Sequence, residues 1–114
     1  MNKDSKKIAL LNDVCSELCP AIEAANLFGD SVILLIIKEL EVGEKRYNEL
    51  LQVLSGVSSS TLAKRLKLLE EKNIIIRTVI ATTPIKITYK LSKKGLDTKE
   101  IINSLRKFGK KYLI

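Results

Sequence analysis

The chain has 114 residues, of which 46% are hydrophobic and 29% charged, with two prolines and five glycines. This length and composition predict one domain around a single core and are unlike those of a disordered chain. The longest aliphatic run, Val32 to Ile37, is far shorter than the roughly 18 to 20 residues that cross a bilayer, so no membrane span is expected. The polar N-terminal stretch lacks the apolar segment of a secretory signal, which predicts a cytoplasmic protein.

Positive charge is concentrated in the second half of the chain. Residues 1–57 carry six Lys and Arg against nine Asp and Glu, whereas residues 58–114 carry fourteen against four, giving a net charge of +7. A basic surface of this kind favours a polyanionic partner, most commonly nucleic acid. A lysine-rich solvated surface has the same composition, so the pattern along the chain has to decide between them.

Three helices are predicted before residue 43. Pro20 is expected to end the first and begin the second, which runs to Phe28 with Gly29 as its left-handed stop. The first helix has an apolar stripe at spacings of three and four: Ile8, Leu11, Cys15 and Leu18. The third helix has a buried face of aliphatic residues: Ile33, Ile36, Ile37 and Leu40.

A helix-turn-helix motif is predicted at about residues 46–72. A short helix with Tyr47 and Leu50 on its apolar side is followed by a tight turn at residues 55–57. Ser58 is a good N-cap for a longer helix, and Asn73 can adopt the left-handed conformation that ends it. This second helix has a stripe of leucines: Leu62, Leu66 and Leu69. An ordinary helical hairpin has a similar pattern.

A β-hairpin is predicted at about residues 74–91, directly after this motif. Residues 74–81 are rich in β-branched side chains, and residues 82–84 form a turn. The second strand alternates, with an apolar face of Ile85, Ile87, Tyr89 and Leu91. The predicted fold class is therefore mainly α with a small β-hairpin wing, a winged helix-turn-helix.

The helices at the two ends of the chain, at about residues 5–28 and 93–112, are predicted to form a homodimer. Ser92 is expected to cap the last helix. The motif and wing already occupy the central core, so the apolar stripes of these helices remain to be buried against a second copy or within the subunit. The candidate interface consists of Ile8, Leu11, Leu18, Ile101, Leu105, Phe108 and Tyr112.

The helix after Ser58 has a candidate DNA-reading side opposite its leucines. At about 100° per residue, the opposite side carries small and cationic residues, with candidate contacts at Ser59, Ser60, Lys64 and Lys67. Small residues let a helix enter the major groove, which is roughly 12 Å wide, and hydroxyls and lysines hydrogen-bond bases or phosphates. A solvated amphipathic helix has the same pattern.

Three further cations are candidates for contacts with the DNA backbone. Lys86 follows the wing turn and suits a phosphate or the minor groove, although an edge-strand lysine also limits aggregation. Lys45 and Arg46 precede the first helix of the motif, where they either bind phosphate or are solvated.

The residue types do not favour catalysis. The chain has no histidine, no glycine-rich phosphate loop and no serine beside a plausible base, so we expect no enzyme, no metal site and no cofactor. A protein-interaction module and a non-specific architectural DNA-binding protein could share this fold and remain alternatives.

From Cys19 to about Tyr112 the chain resembles the HxlR-type branch of the MarR-like winged-helix regulators. Four segments carry the resemblance in matching order: CPAIEAANLFGDSVILLIIKEL, GEKRYNEL, GVSSSTLAKRLKLLEEKNII and TTPIKITYKLSKKG. It implies a dimeric transcriptional regulator of double-stranded DNA, with the terminal helices as its interface. Such a dimer is expected to bind a palindromic operator with half-sites about 10 bp apart. The operator, target genes and small-molecule effector do not follow from it.

The chain departs from this family at a few positions. Val32 and Phe108 stand where the family typically has Trp, and Asn73 stands where it has Gly; these residues remain compatible with the fold. Ser59 and Ser60 replace the usual Pro and Arg, so the resemblance does not predict which operator is read.

Cys19 coincides with the cysteine that some family members use to sense oxidants or electrophiles. Just before a helix that begins at Pro20, its thiolate would be favoured by the helix dipole and the first amides. Buried cysteine is also commonly a small apolar residue, so sensing and packing remain two interpretations.

Overall fold

The computed structural model describes residues 18–114, and the chain divides into two units, Met1–Ser31 and Val32–Ile114. In the first unit, helix α1 spans Leu18–Phe28. The break predicted at Pro20 is wrong, because Leu18 and Cys19 already belong to this helix. Proline is tolerated near a helix start because the amides of the first turn have no carbonyl partner within the helix.

Gly29 ends α1 without the predicted left-handed conformation, since no glycine of the described residues has a positive φ. A Cβ at this position would lie 2.6 Å from the carbonyl oxygen of Ala25, to which the Gly29 amide donates. Close approach of the backbone therefore explains the glycine. The predicted stripe residues Ile8, Leu11 and Cys15 lie outside the described residues, as does the side chain of Leu18.

Three helices form the centre of the second unit: α2 at Ser31–Val42, α3 at Tyr47–Val53 and α4 at Ser59–Glu71. Their apolar faces supply the fully buried core, together with one strand residue: Ile33, Ile36, Ile37, Leu50, Leu62, Leu66, Leu69 and Ile75. The helix-turn-helix pair α3–α4 is thus anchored by the leucines that the sequence pattern predicts. In the described part, no single helix is long and apolar enough to cross a bilayer.

The hairpin that follows α4 belongs to a three-stranded antiparallel sheet, whose third strand, earlier in the chain, the sequence did not predict. Strand β2 spans Ile75–Ile80 and β3 spans Lys86–Leu91, while β1 is the two-residue strand Lys45–Arg46. The order is β1-β3-β2, so β3 is central and Lys45 and Arg46 lie opposite Tyr89 and Thr88. A mainly helical chain with a helix-turn-helix followed by this wing confirms the predicted fold class.

The predicted apolar face of the wing is only partly buried. Tyr89 is buried and Ile87 and Leu91 are half-buried, but Ile85 is 66% exposed. Ile85 precedes β3 and lies in the connection between the two strands. The period-two pattern therefore extends further along the chain than the packed strand does.

The last helix begins later than predicted. Helix α5 spans Thr98–Tyr112, and a 3-10 turn at Gly95–Asp97 precedes it. Ser92 caps this turn rather than α5, because its Oγ accepts a hydrogen bond of 2.9 Å from the Gly95 amide. Ile102 packs inward on α5 with 8% of its surface exposed.

Candidate nucleic-acid interface

The start of α4 is fixed by a hydroxyl cap. Ser58 Oγ accepts a hydrogen bond from the Thr61 amide at 3.1 Å and donates to Thr61 Oγ1 at 2.9 Å. This confirms the predicted N-cap, and the Ser58 hydroxyl both accepts and donates there. The side chains of Ser59 and Ser60 are exposed beside this cap.

The two sides of α4 differ sharply in burial. Leu62, Leu66 and Leu69 are at most 1% exposed, whereas Ser60, Lys64 and Lys67 are exposed. The predicted reading side of α4 is therefore accessible along its length, with small residues in its first turn and two lysines beyond them.

The tyrosine at the start of α3 connects the two helices of the motif. Tyr47 OH donates to the carbonyl oxygen of Ser59 at 3.3 Å. The Arg46 amide donates to Glu49 Oε1 at 3.0 Å, which satisfies one of the amides at the start of α3. The Tyr47 hydrogen bond thus links the first turn of α4 to the start of α3.

The predicted backbone cations are brought to the sheet. Arg46 is exposed and lines a cleft that contains the wing residues Pro84–Ile87, so Arg46 and Lys86 border the same space. Lys45 is half-buried and does not line this cleft. Tyr47 and Asn48 complete its wall. The structure thus groups two of the three predicted backbone cations.

Arg77 is a candidate contact that the sequence reasoning missed. It is exposed on β2 opposite Tyr89, and both residues line a second cleft together with Lys67 of α4. Tyr47, Ala63 and Glu70 complete that cleft. Hairpin register was the available signal, because it places Arg77 on the Tyr89 face of the sheet. The cleft thus combines one guanidinium, one ammonium and one carboxylate between α4 and the wing.

The remaining candidates lie away from these clefts. Cys19 is half-buried within α1 rather than preceding that helix. The α5 members of the candidate dimer interface are exposed by 38% to 63%: Ile101, Leu105, Phe108 and Tyr112. No group of three or more His, Cys, Asp or Glu side chains is arranged to hold a metal ion within residues 18–114.

Comparison with known proteins gives consistent matches. A family model described as HxlR-like helix-turn-helix matches residues 27–114. The HTH-type transcriptional regulator YodB of Bacillus subtilis is 33% identical over 96 residues, which cover 83% of this chain and 86% of YodB. The HTH-type regulator sll1512 of Synechocystis is 32% identical over 104 residues, 89% of this chain and 77% of its own length.

Solved structures agree with these sequence matches. The reduced form of YodB from B. subtilis superposes with a TM-score of 0.75 at 33% identity, over 83% of this chain and 94% of that one. A MarR-family regulator from Porphyromonas gingivalis W83 superposes with a TM-score of 0.78 at 30% identity, over 88% of this chain and 98% of that one. YodB has also been solved after diamide treatment, with a TM-score of 0.72.

Proposed function

Because the chain belongs to the HxlR-like helix-turn-helix family, we propose that it is a sequence-specific regulator of transcription that binds double-stranded DNA as a homodimer. Its relatives include HTH-type transcriptional regulators. In this proposal, the helix-turn-helix at about residues 46–72 and the wing at about 74–91 act as one DNA-binding domain. A regulator acts beside the chromosome, which for bacterial relatives means the cytoplasm.

The observation that carries the proposal is the accessible side of α4. The leucines of α4 are almost fully buried, and its serines and lysines are exposed. In the proposed complex, Ser59 and Ser60 approach base edges in the major groove, and Lys64 and Lys67 donate to bases or phosphates.

The wing and the start of α3 bind the DNA backbone next to the reading helix. Lys86 contacts a phosphate or enters the minor groove, and Arg46 binds a phosphate near the same cleft. Lys45 is not a contact residue in this proposal, because its half-buried side chain lies outside this cleft. Its charge contributes only to the long-range attraction of DNA. Arg77 joins the candidate contacts because it borders the cleft next to Lys67.

The exposed apolar stripe of α5 supports a dimer. Four large side chains at spacings of four, three and four cover one side of this helix, and burial against a second copy would remove them from water. Two reading helices in a symmetric dimer fit half-sites about 10 bp apart, so the operator is palindromic.

Selection of bound sequences from a random duplex pool tests this function. We expect a palindromic consensus that binds at least ~10³-fold more tightly than random duplex, with affinity falling steeply as salt rises. Equal binding to the consensus and to random duplex would instead indicate an architectural protein. Absence of any binding at low salt would indicate a protein-interaction module.

Control of DNA binding by thiol oxidation is a second part of the proposal. YodB, at 33% identity, has been solved in a reduced form and after diamide treatment. Cys19 is half-buried, so part of its surface is accessible to a small oxidant. We expect diamide to weaken operator binding by the wild type and to leave the Cys19→Ser variant unaffected, as measured by operator titration. A similar response of both proteins to diamide excludes Cys19 as the sensor.

A further inference from the structure

The C-terminal end of α4 is held by residues from the segment that leads into α5. A helix end leaves carbonyl groups without partners in the helix. Lys94 Nζ donates to the Lys72 carbonyl oxygen at 2.9 Å. Ser92 Oγ lies 2.6 Å from the carbonyl oxygen of Asn73 and 3.0 Å from that of Ile74, and donates to this pair. We call Ser92 and Lys94 the Ser92–Lys94 clamp.

The same segment is fixed at its other end to the start of α5. The Ser92 amide donates to the Ile74 carbonyl oxygen at 2.9 Å, and Ser92 Oγ accepts from the Gly95 amide. Gly95 is buried so close to the Ile74 carbonyl that a Cβ would collide with it. Thr98, the first residue of α5, donates through Oγ1 to the Gly95 carbonyl oxygen. A continuous series of hydrogen bonds therefore joins the end of α4 to the beginning of α5.

We propose that the Ser92–Lys94 clamp sets the angle between α4 and α5 and thereby the separation of the two reading helices in a dimer. This inference rests on the dimer of the proposed function. Both side chains act as positioning residues and need not touch DNA. The lysine is well suited to this role because a cation at a helix C-terminus also interacts favourably with the helix dipole.

The length of α5 makes a small change of angle important. Its 15 residues correspond to about 22 Å at 1.5 Å per residue. A tilt of about 10° at Thr98 displaces the far end by about 4 Å, more than the ~3.4 Å rise per base pair. A loosened clamp is therefore expected to alter the preferred distance between half-sites, while each reading helix still fits its own half-site.

The chain offers a matched control for the lysine. Lys93 and Lys94 are both exposed neighbours, and only Lys94 reaches the carbonyl oxygen of Lys72. Lys93→Met and Lys94→Met remove the same charge at nearly the same place. Any difference between these variants therefore reports the hydrogen bond rather than the general attraction of DNA for cations.

The experiment compares these full-length variants on three kinds of duplex: the selected palindrome, palindromes with one base pair inserted or deleted between the half-sites, and a single half-site. Wild type and Lys93→Met are expected to prefer the selected spacing strongly. In Lys94→Met this preference falls by about tenfold, the size expected for one lost hydrogen bond to a charged group, while half-site affinity stays within about twofold. Ser92→Ala shows the same loss, and Ser92→Thr, which keeps the hydroxyl, recovers most of it.

Three results would overturn the inference, and thermal unfolding verifies that each variant is folded. An equal preference for half-site spacing in Lys93→Met and Lys94→Met would show that the hydrogen bond from Lys94 to Lys72 does not set the spacing. An equal loss of affinity for the half-site and for the palindrome would show that the clamp only stabilises α4 itself. A wild type that gains nothing from a second half-site refutes the proposed dimeric operator, and the inference with it. Should Ser92→Ala fail to fold, the lysine pair decides.

Discussion

Lys64 and Lys67 project from α4 on the side away from its leucines, and both are exposed. Their contribution to folding should be small, because an exposed side chain without buried contacts seldom changes stability by more than about 0.5 kcal/mol. Their contribution to DNA binding should be large if each neutralises a phosphate or donates to a base. The two effects can therefore be separated at these positions.

We expect Lys64→Ala and Lys67→Ala each to weaken operator binding and to reduce the slope of log affinity against log salt by about one. Lys38→Ala is the control, since Lys38 is an exposed lysine of α2 and its loss changes the net charge equally. Titrations at several salt concentrations measure the slope. Identical slopes for all three variants would mean that these lysines act only through net charge.

Leu66 faces the opposite way and is 1% exposed. We expect Leu66→Ala to lower the free energy of unfolding by about 2 to 5 kcal/mol, because it leaves a cavity in the core. Denaturant unfolding measures this change, with Lys67→Ala as the exposed neighbour that should leave stability nearly unaltered. A Leu66→Ala protein as stable as the wild type contradicts the packing described for α4.

Local rules predicted some single residues well and others poorly. The Ser58 cap and the left-handed Asn73, at φ 61°, follow from short-range chemistry that a sequence displays directly. Pro20 was misread because proline is compatible both with a break and with the first turn of a continuing helix. The interpretation of Gly29 was wrong because a glycine is needed there to avoid a collision with the carbonyl oxygen of Ala25, and not to allow a left-handed turn. The backbone conformation at Pro20 and at Gly29 depends on neighbouring residues, which the residue type alone does not reveal.

Among the elements, α2 to α5 were predictable because each repeats an apolar stripe, β3 because its residues alternate, and β2 because it is rich in β-branched side chains. Strand β1 has only Lys45 and Arg46, too few to form a pattern, and it exists through pairing with β3. The delayed start of α5 has a similar cause, since the close packing of Gly95 against Ile74 is a contact between distant parts of the chain. For the candidate interface, the reading side of α4 was predictable, whereas the grouping of Arg46 with Lys86 depended on the sheet.

The wing can be tested with two lysines of one strand. Lys86 and Lys90 are exposed on the same face of β3, but only Lys86 lines the cleft shared with Arg46. We expect Lys86→Ala to weaken binding similarly across operator sequences and to reduce the salt slope by about one, as loss of a phosphate contact does. Lys90→Ala should keep most of the operator affinity and most of the salt slope. If the two variants cannot be distinguished in these titrations, the wing contact is not at the cleft.

At the scale of the whole molecule, the question is what covers the stripe on α5. Phe108 and Tyr112 lie at its distal end with their ring centroids 5.1 Å apart, and both are more than half exposed. Sequence periodicity predicted this stripe. It could not specify the partner, since an apolar side chain is buried equally well by any complementary surface.

We expect Phe108→Glu to convert a dimer into a 12.8 kDa monomer and to abolish the gain in affinity from a second half-site. A carboxylate within an apolar interface has no compensating partner, so association becomes costly. Asn103→Glu adds the same charge on the opposite side of α5 and should leave the dimer intact. Light scattering at micromolar concentration measures the mass. A wild type that is already monomeric there would contradict the dimer.

The hydroxyl cap at the start of α4 has a further consequence for how a regulatory network changes over time. Ser58 uses its hydroxyl to cap α4, so in the proposed complex the hydroxyls that approach base edges are those of Ser59 and Ser60, each able to donate or accept by rotation about one bond. Side chains with both capacities discriminate weakly between bases, unlike the bidentate pairing of arginine with guanine. Under the proposed mode of binding, promoters would therefore tolerate substitutions at the base pairs that face Ser59 and Ser60, and new promoters could come under control through few mutations.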